Sequence, residues 1–249
     1  MEDKEKYNYS DFTRSNYRKL LKIAQKSYAF RFFDNYNLEK RTVIWRHDVD
    51  ISPHAALKLA KIEKEENVAA TYFFHFHNLF YNLLEAEIRD IVCEIISLGH
   101  SVGLHYEPDF YQVENDKDFN KYLEIEVALL EKITCCKIAV FSFHNPSESM
   151  ILEYSDYKYS GLINTYSSFF RENFGYCSDS IGYWRFRRLE DVLREADDKN
   201  LQVLTHPAWW QEEEMSPRQR IQRCIEGRAS KQQNNYDEIV KEMGRLNVR

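Results

Sequence analysis

Two aspartates one residue apart, Asp48 and Asp50, interrupt the stretch VIWRHDVDISPHAALKLA that runs from residue 43 to residue 60. On an extended segment residues i and i+2 face the same way, so these carboxylates project together, and like charges that close are costly unless a cation separates them or one is protonated. A divalent ion resolves the conflict. One carboxylate can bind it while the other stays free as a base for a water whose pKa the ion lowers. Capping of a helix beginning at Pro53 would account for one of the two acids and leave the other unexplained. If the strand stays extended, His47 points away from the acids, and His54 falls in the first turn of the next helix; both are expected to support the site rather than ligate.

The remaining histidines recur where apolar runs finish. His75 and His77 close VAATYFFHFH, His100 and His105 bracket HSVGLHYE, His144 ends KIAVFSFHNP and His206 ends LQVLTHP. Glu107 lies two residues beyond His105, and Gly103 is expected to let the backbone turn tightly there. Trp209 and Trp210 follow His206; two aromatic faces beside a site suit stacking against a sugar ring, and they suit core packing equally well.

The elements that must position these residues alternate. The pattern predicts a helix over 17–28 and a buried strand from Thr42 to about Arg46, then a helix capped by Ser52 with Pro53 at its first position. Further helices are expected before Gly99, across 122–133 and in LEDVLREADDKN, with weaker strands in GLINTY and YCSDS. Repeated strand-then-helix order implies parallel strands with helices outside, either as an open sheet or as a barrel, whose strand carboxyl ends converge on one face.

A chain of 249 residues with only 7 Gly and 5 Pro is expected to fold as a single domain, with a polar N-terminal extension over 1–40 and a helical tail over about 212–249. A net charge of −6 spread along the chain gives no footprint for nucleic acid or an anionic membrane. Five cysteines without a CxxC pair suggest reduced thiols, and a charged N-terminus without an apolar segment suggests a cytoplasmic protein with no membrane span.

In order, these segments resemble the motifs of the polysaccharide deacetylase family, the NodB-homology enzymes of carbohydrate esterase family four, in a divergent branch whose first motif reads HDVD. The likeness runs from Arg46 to Trp210. It implies a distorted (β/α)7-type barrel and a metal-dependent hydrolase that removes an N-acetyl group from a sugar or sugar precursor. Carried over residue by residue, it makes Asp48 the catalytic base, Asp50 and His105 metal ligands, His206 the general acid and Asp179 its partner, with Zn²⁺ the favoured ion. Two departures stand out: the family's second metal histidine is replaced by Asp109, and the third motif offers His144 where the family has an arginine beside the catalytic aspartate. His144 is therefore expected as third ligand, with Glu107 or Asp109 as substitutes, and His75, Trp184, Trp209 and Trp210 as substrate contacts. Two other readings stand beside this one: an amidohydrolase-like or phosphoesterase-like enzyme built on His75 and His77, and a catalytically inactive barrel that binds sugar or a partner. Glycosidic cleavage is disfavoured, because Asp48 and Asp50 share one strand end and cannot flank a bond.

Overall fold

The computed structural model describes residues 3–113, 115–184 and 186–248, so the first two residues of the expected extension and the last of the tail lie outside it. Among the described residues there are ten strands: β1 (Ala29–Arg31), β2 (Thr42–Val49), β3 (Thr71–Phe74), β4 (Ser101–Tyr106), β5 (Val140–Phe143), β6 (Lys158–Tyr159), β7 (Leu162–Asn164), β8 (Gly175–Ser180), β9 (Tyr183–Trp184) and β10 (Asn200–Thr205). The helices are α1 (Asp3–Lys6), α2 (Arg14–Ser27), α3 (Pro53–Glu65), α4 (Ala86–Ser97), α5 (Asp116–Thr134), α6 (Glu148–Glu153), α7 (Ser168–Asn173), α8 (Leu189–Glu195) and α9 (Pro217–Glu242).

Seven strands, in the order β7-β5-β4-β3-β2-β10-β8, run parallel, as the alternation of elements predicts. Two short antiparallel partners, β6 and β9, flank this path, and β1 pairs with the first half of β2 where β3 takes the second half. No hydrogen-bonded pairing joins β7 to β8 among the described residues, so the barrel has a seam.

Strand β2 explains how the interior is sorted. It extends to Val49, three residues past the expected end, and all eight of its residues are buried. Val43, Trp45 and Val49 join the core between strands and helices, packed with side chains such as Leu20 and Leu59. Ile44 faces the other way, into a second cluster with Phe33, Phe73, Val140 and Ile163 inside the barrel. Arg46 and Asp48 continue the inner face by the same period of two. Gly103 makes no turn: it sits within β4 opposite Phe73, and a Cβ there would lie 2.5 Å from that ring. Glycine is needed because the Phe73 ring occupies its side-chain space.

Helix α3 starts as expected, with Ser52 Oγ accepting from Ala55 N at 3.2 Å. The polar C-terminal segment forms α9, opened by a Ser216/Gln219 capping box and anchored by the buried Arg220, which donates to the Gly182 carbonyl at 2.8 Å. No described helix is long and apolar enough to cross a membrane.

Candidate metal centre

The ends of β2, β4, β5 and β10 bring Asp48, Asp50, His105, His144 and His206 to one mouth of the barrel. Asp50, His105 and His144 each present a donor atom, all within 4.8 Å of one another. Asp50 Oδ1 is buried without a hydrogen-bond partner and stands 3.1 Å from His105 Nε2. His105 Nδ1 faces the Ser142 carbonyl at 3.3 Å, a contact that leaves Nε2 as the nitrogen turned toward the carboxylate. An orphaned carboxylate oxygen facing imidazole nitrogen is a donor set that suits a divalent cation such as zinc. The charges agree: burial alone would raise the Asp50 carboxyl, but His105, then His206 and His144, carry it well below the ordinary carboxylate range. Burial opposes charge on His105 too, and Asp48 and Asp50 together raise its pKa above the usual value.

Asp48, 2% exposed, is gripped by an arginine after all. Arg46, two residues earlier on the same strand face, places Nη2 at 2.6 Å and Nε at 3.2 Å from the two carboxylate oxygens. Its guanidinium also donates to Ser142 Oγ at 2.5 Å and Thr165 Oγ1 at 2.8 Å, and lies over the Phe73 ring. Burial works against the Arg46 charge, and Asp48 together with Tyr166 and Tyr176 more than offsets it, so the guanidinium pKa rises. An arginine thus stands beside Asp48 although the third motif offers none, and it comes from β2. Its signal was a cation two residues before Asp48 in an otherwise apolar run, hidden because the strand was expected to end there.

His206 pairs with Asp179 as expected: Nδ1 donates to Oδ1 at 2.6 Å, and the His206 backbone N–H reaches both oxygens at 3.0 Å. Asp179 is fully buried. Burial disfavours the imidazolium, yet Asp179, with help from Asp50 and Asp48, pushes His206 up to about 9. The free Nε2 edge stands 3.6 Å from Asp50 Oδ2, so the proton-bearing ring faces the centre.

Around these residues several expectations are revised. Glu107 reaches the centre's edge, with Oε1 at 3.1 Å from His144 Nδ1 and Oε2 at 3.0 Å from His75 Nε2. Asp109 does not: the chain turns outward at Pro108–Tyr111 and leaves it exposed. His77 turns from His75 toward Glu126 at 2.7 Å and the Tyr111 hydroxyl at 3.1 Å, so the His75/His77 pair does not form a joint ligand set among the described residues. The tryptophans pack inward rather than offering open faces. Trp184 stacks on Phe12 and donates to Asp11 at 2.9 Å; Trp210 packs against Phe12 and Tyr17; Trp209 lies against Gly182. The N-terminal Tyr9–Phe12 turn, which covers Trp184 and Trp210, had no visible link to them in the sequence. His75 stays beside the centre, its ring 5.9 Å from His105 and 4.6 Å from His144.

His47 points away from the acids, as the extended strand requires. It stacks on Tyr72 and meets Glu63 at 2.6 Å and Thr205 at 2.7 Å in a closed buried network with Tyr17. His54 is exposed and pairs with Glu87.

No protein-family model and no curated protein matches the chain. Among solved structures, it is similar to a family 4 carbohydrate esterase from Bacillus anthracis, at 16% identity and TM-score 0.46, with 86% of each chain covered. A chitin deacetylase from Colletotrichum lindemuthianum matches at 16% identity and TM-score 0.42 over 75% of this chain and 81% of that one. A CE4 family pseudoenzyme from Bacillus anthracis matches at 14% identity and TM-score 0.40, over 78% of this chain and 63% of that one. The three solved structures named, to which this chain is similar, are thus a family 4 carbohydrate esterase, a chitin deacetylase and a CE4 family pseudoenzyme.

Proposed function

We propose that the protein is a metal-dependent hydrolase that removes an N-acetyl group from a sugar or sugar precursor. The observation that carries this reading is the placement, at one barrel mouth, of an Asp50–His105–His144 donor set between a clamped carboxylate, Asp48, and an imidazole held by a buried carboxylate, His206 with Asp179. A divalent ion bound by Asp50, His105 and His144 would polarise the acetyl carbonyl and make water a better nucleophile.

The protein's own groups do the rest. Asp48 accepts the proton of the attacking water, and Arg46 fixes the carboxylate's orientation through two bonds. His206, protonated at neutral pH because Asp179 raises its pKa, donates from Nε2 to the departing sugar nitrogen. Amide hydrolysis needs this acid, since an unprotonated amine anion is a poor leaving group. The Arg46–Asp48 pair also weakens the case for an inactive barrel, because it puts an arginine beside the carboxylate although the third motif offers none.

The test is acetate release by zinc-loaded protein from a panel of N-acetylated sugars, free, oligomeric and nucleotide-linked. Release that disappears on chelation and returns with metal supports the reading. Sugar binding without acetate release across the panel would replace it with the inactive-barrel reading.

A further inference from the structure

Strands β7 and β8 do not pair among the described residues, and the chain between them, through α7, sends Phe170 and Phe174 into the barrel's inner cluster. The plug is incomplete. A cavity of about 280 Å³ remains at the seam, walled by Phe170, Phe174 and the Tyr166 and Tyr176 rings. Tyr176 is 43% exposed, so the cavity opens to solvent along β8.

One side chain does not match these walls. Gln202 of β10 lies level with Ile44 on β2 and with Tyr176 on β8, and residues level with one another in paired strands face the same side. Ile44 belongs to the inner cluster, so Gln202 points inward as well, into the cavity it lines. It is 3% exposed, and its carboxamide has no hydrogen-bond partner among the described residues. A buried amide left unpaired is costly, and an apolar residue such as Ile44 avoids that cost at the same level of the neighbouring strand. An occupant of the cavity would pair it.

The walls define the occupant's chemistry. A carboxamide offers an acceptor oxygen and two donor hydrogens, so its complement carries a donor and an acceptor on one edge, as an amide or lactam does. The rings favour a planar, apolar body. The volume suits one small molecule, since ligand pockets run upward from about 300 Å³ and an apolar cavity of about 150 Å³ takes benzene.

We propose that the seam cavity is a binding site, separate from the metal centre, for a small planar molecule whose amide or lactam edge pairs with Gln202. Two of its walls bear on the clamp of Asp48: Thr165 Oγ1 accepts from Arg46 at 2.8 Å, and the Tyr166 ring lies 5.1 Å from the guanidinium. An occupant is therefore sensed at Arg46.

Benzamide and toluene, alike in their ring, test this by NMR titration of metal-free, full-length protein. Benzamide is expected to bind in the millimolar range and at least about tenfold more tightly than toluene. It should shift the Gln202 side-chain amide signals, assigned by their loss in Gln202→Leu, and the Nε–H signal of Arg46. Gln202→Leu removes the unpaired amide, and is expected to fold and to bind toluene at least as tightly as benzamide. Gln202→Met takes its place if thermal unfolding shows that it does not fold. Ile151→Trp, which fills the cavity from α6, is expected to lose both compounds. Native Gln202 signals that stay unmoved at millimolar benzamide overturn the proposal, and water is then the cavity's occupant. A preference for benzamide that survives in Gln202→Leu overturns it too, because the compound then binds elsewhere. Binding is read without metal or turnover, so its failure and that of the hydrolase reading are separate results.

Discussion

Replacing Asp179 with asparagine keeps the shape of the His206 pair and removes its charge. In the native chain His206 rises from an ordinary 6.5 to about 9, against the opposing effect of burial, with Asp179 the largest favourable cause. The difference, about 2.5 pH units, is worth about 3 kcal/mol of preference for the imidazolium in the folded state. Because the folded pKa lies above the unfolded one, this stability is fully present below about pH 6.5 and is lost as pH rises through about 9. In Asp179→Asn, burial is no longer balanced, and the His206 pKa is expected to fall by more than 1 pH unit, at least tenfold in the proton-binding constant. The assay is a proton NMR titration of metal-free protein, with His206→Gln assigning the resonance. Urea unfolding from pH 6 to pH 10 should show a correspondingly smaller loss in the variant. If His206 in Asp179→Asn still titrates near 9, then Asp50, 3.6 Å from its other edge, holds the proton and the assignment of Asp179 is wrong. In metal-loaded enzyme the ion's charge should bring the alkaline limb of kcat/KM below the metal-free pKa.

Arg46→Met should cost about 3–5 kcal/mol in urea unfolding, since it leaves Asp48 buried and uncompensated; Arg46→Met combined with Asp48→Leu should recover most of this, and equal losses would show that the pair is not coupled. Asp48→Asn is expected to slow acetate release about 10²–10⁴-fold with zinc content unchanged, and an unaltered rate would place the base elsewhere. Gly103→Ala should destabilise by about 1–3 kcal/mol by forcing Phe73 aside, read as a lowered Tm. His77→Ala should leave zinc content unchanged, because its ring is engaged by Glu126 and Tyr111.

What could be read beforehand was whatever a local period determines. The i, i+2 spacing put Asp48 and Asp50 on one side of β2 and His47 on the other, and the histidines at strand ends located His105, His144 and His206. Ser52 and Pro53 announced α3. Residues whose fate depends on distant packing were less legible. The Trp184, Trp209 and Trp210 environment is made by Phe12 and Tyr17, far off in the chain, together with the Gly182 turn. Asp109 shares the strand-end context of His105, but the Pro108–Tyr111 turn carries it outward. Gly103 in a chemistry-rich segment suggested a bend, whereas the close approach of Phe73 accounts for it.

The inner face of β2 stacks Ile44, Arg46 and Asp48, with Asp50 one residue beyond the strand. Apolar floor, fixed cation, proposed proton acceptor and proposed ion ligand thus come from a single run of backbone. Their separation is set by the repeat of an extended chain, about 6.6–6.8 Å per two residues, and not by how separate elements dock. Changes to the surrounding helices can therefore accumulate without detuning the distance between base and ligand. An insertion or deletion of one residue in β2, by contrast, would turn the set inside out, exchanging Asp48 with His47 and sending the chemistry into the helical layer.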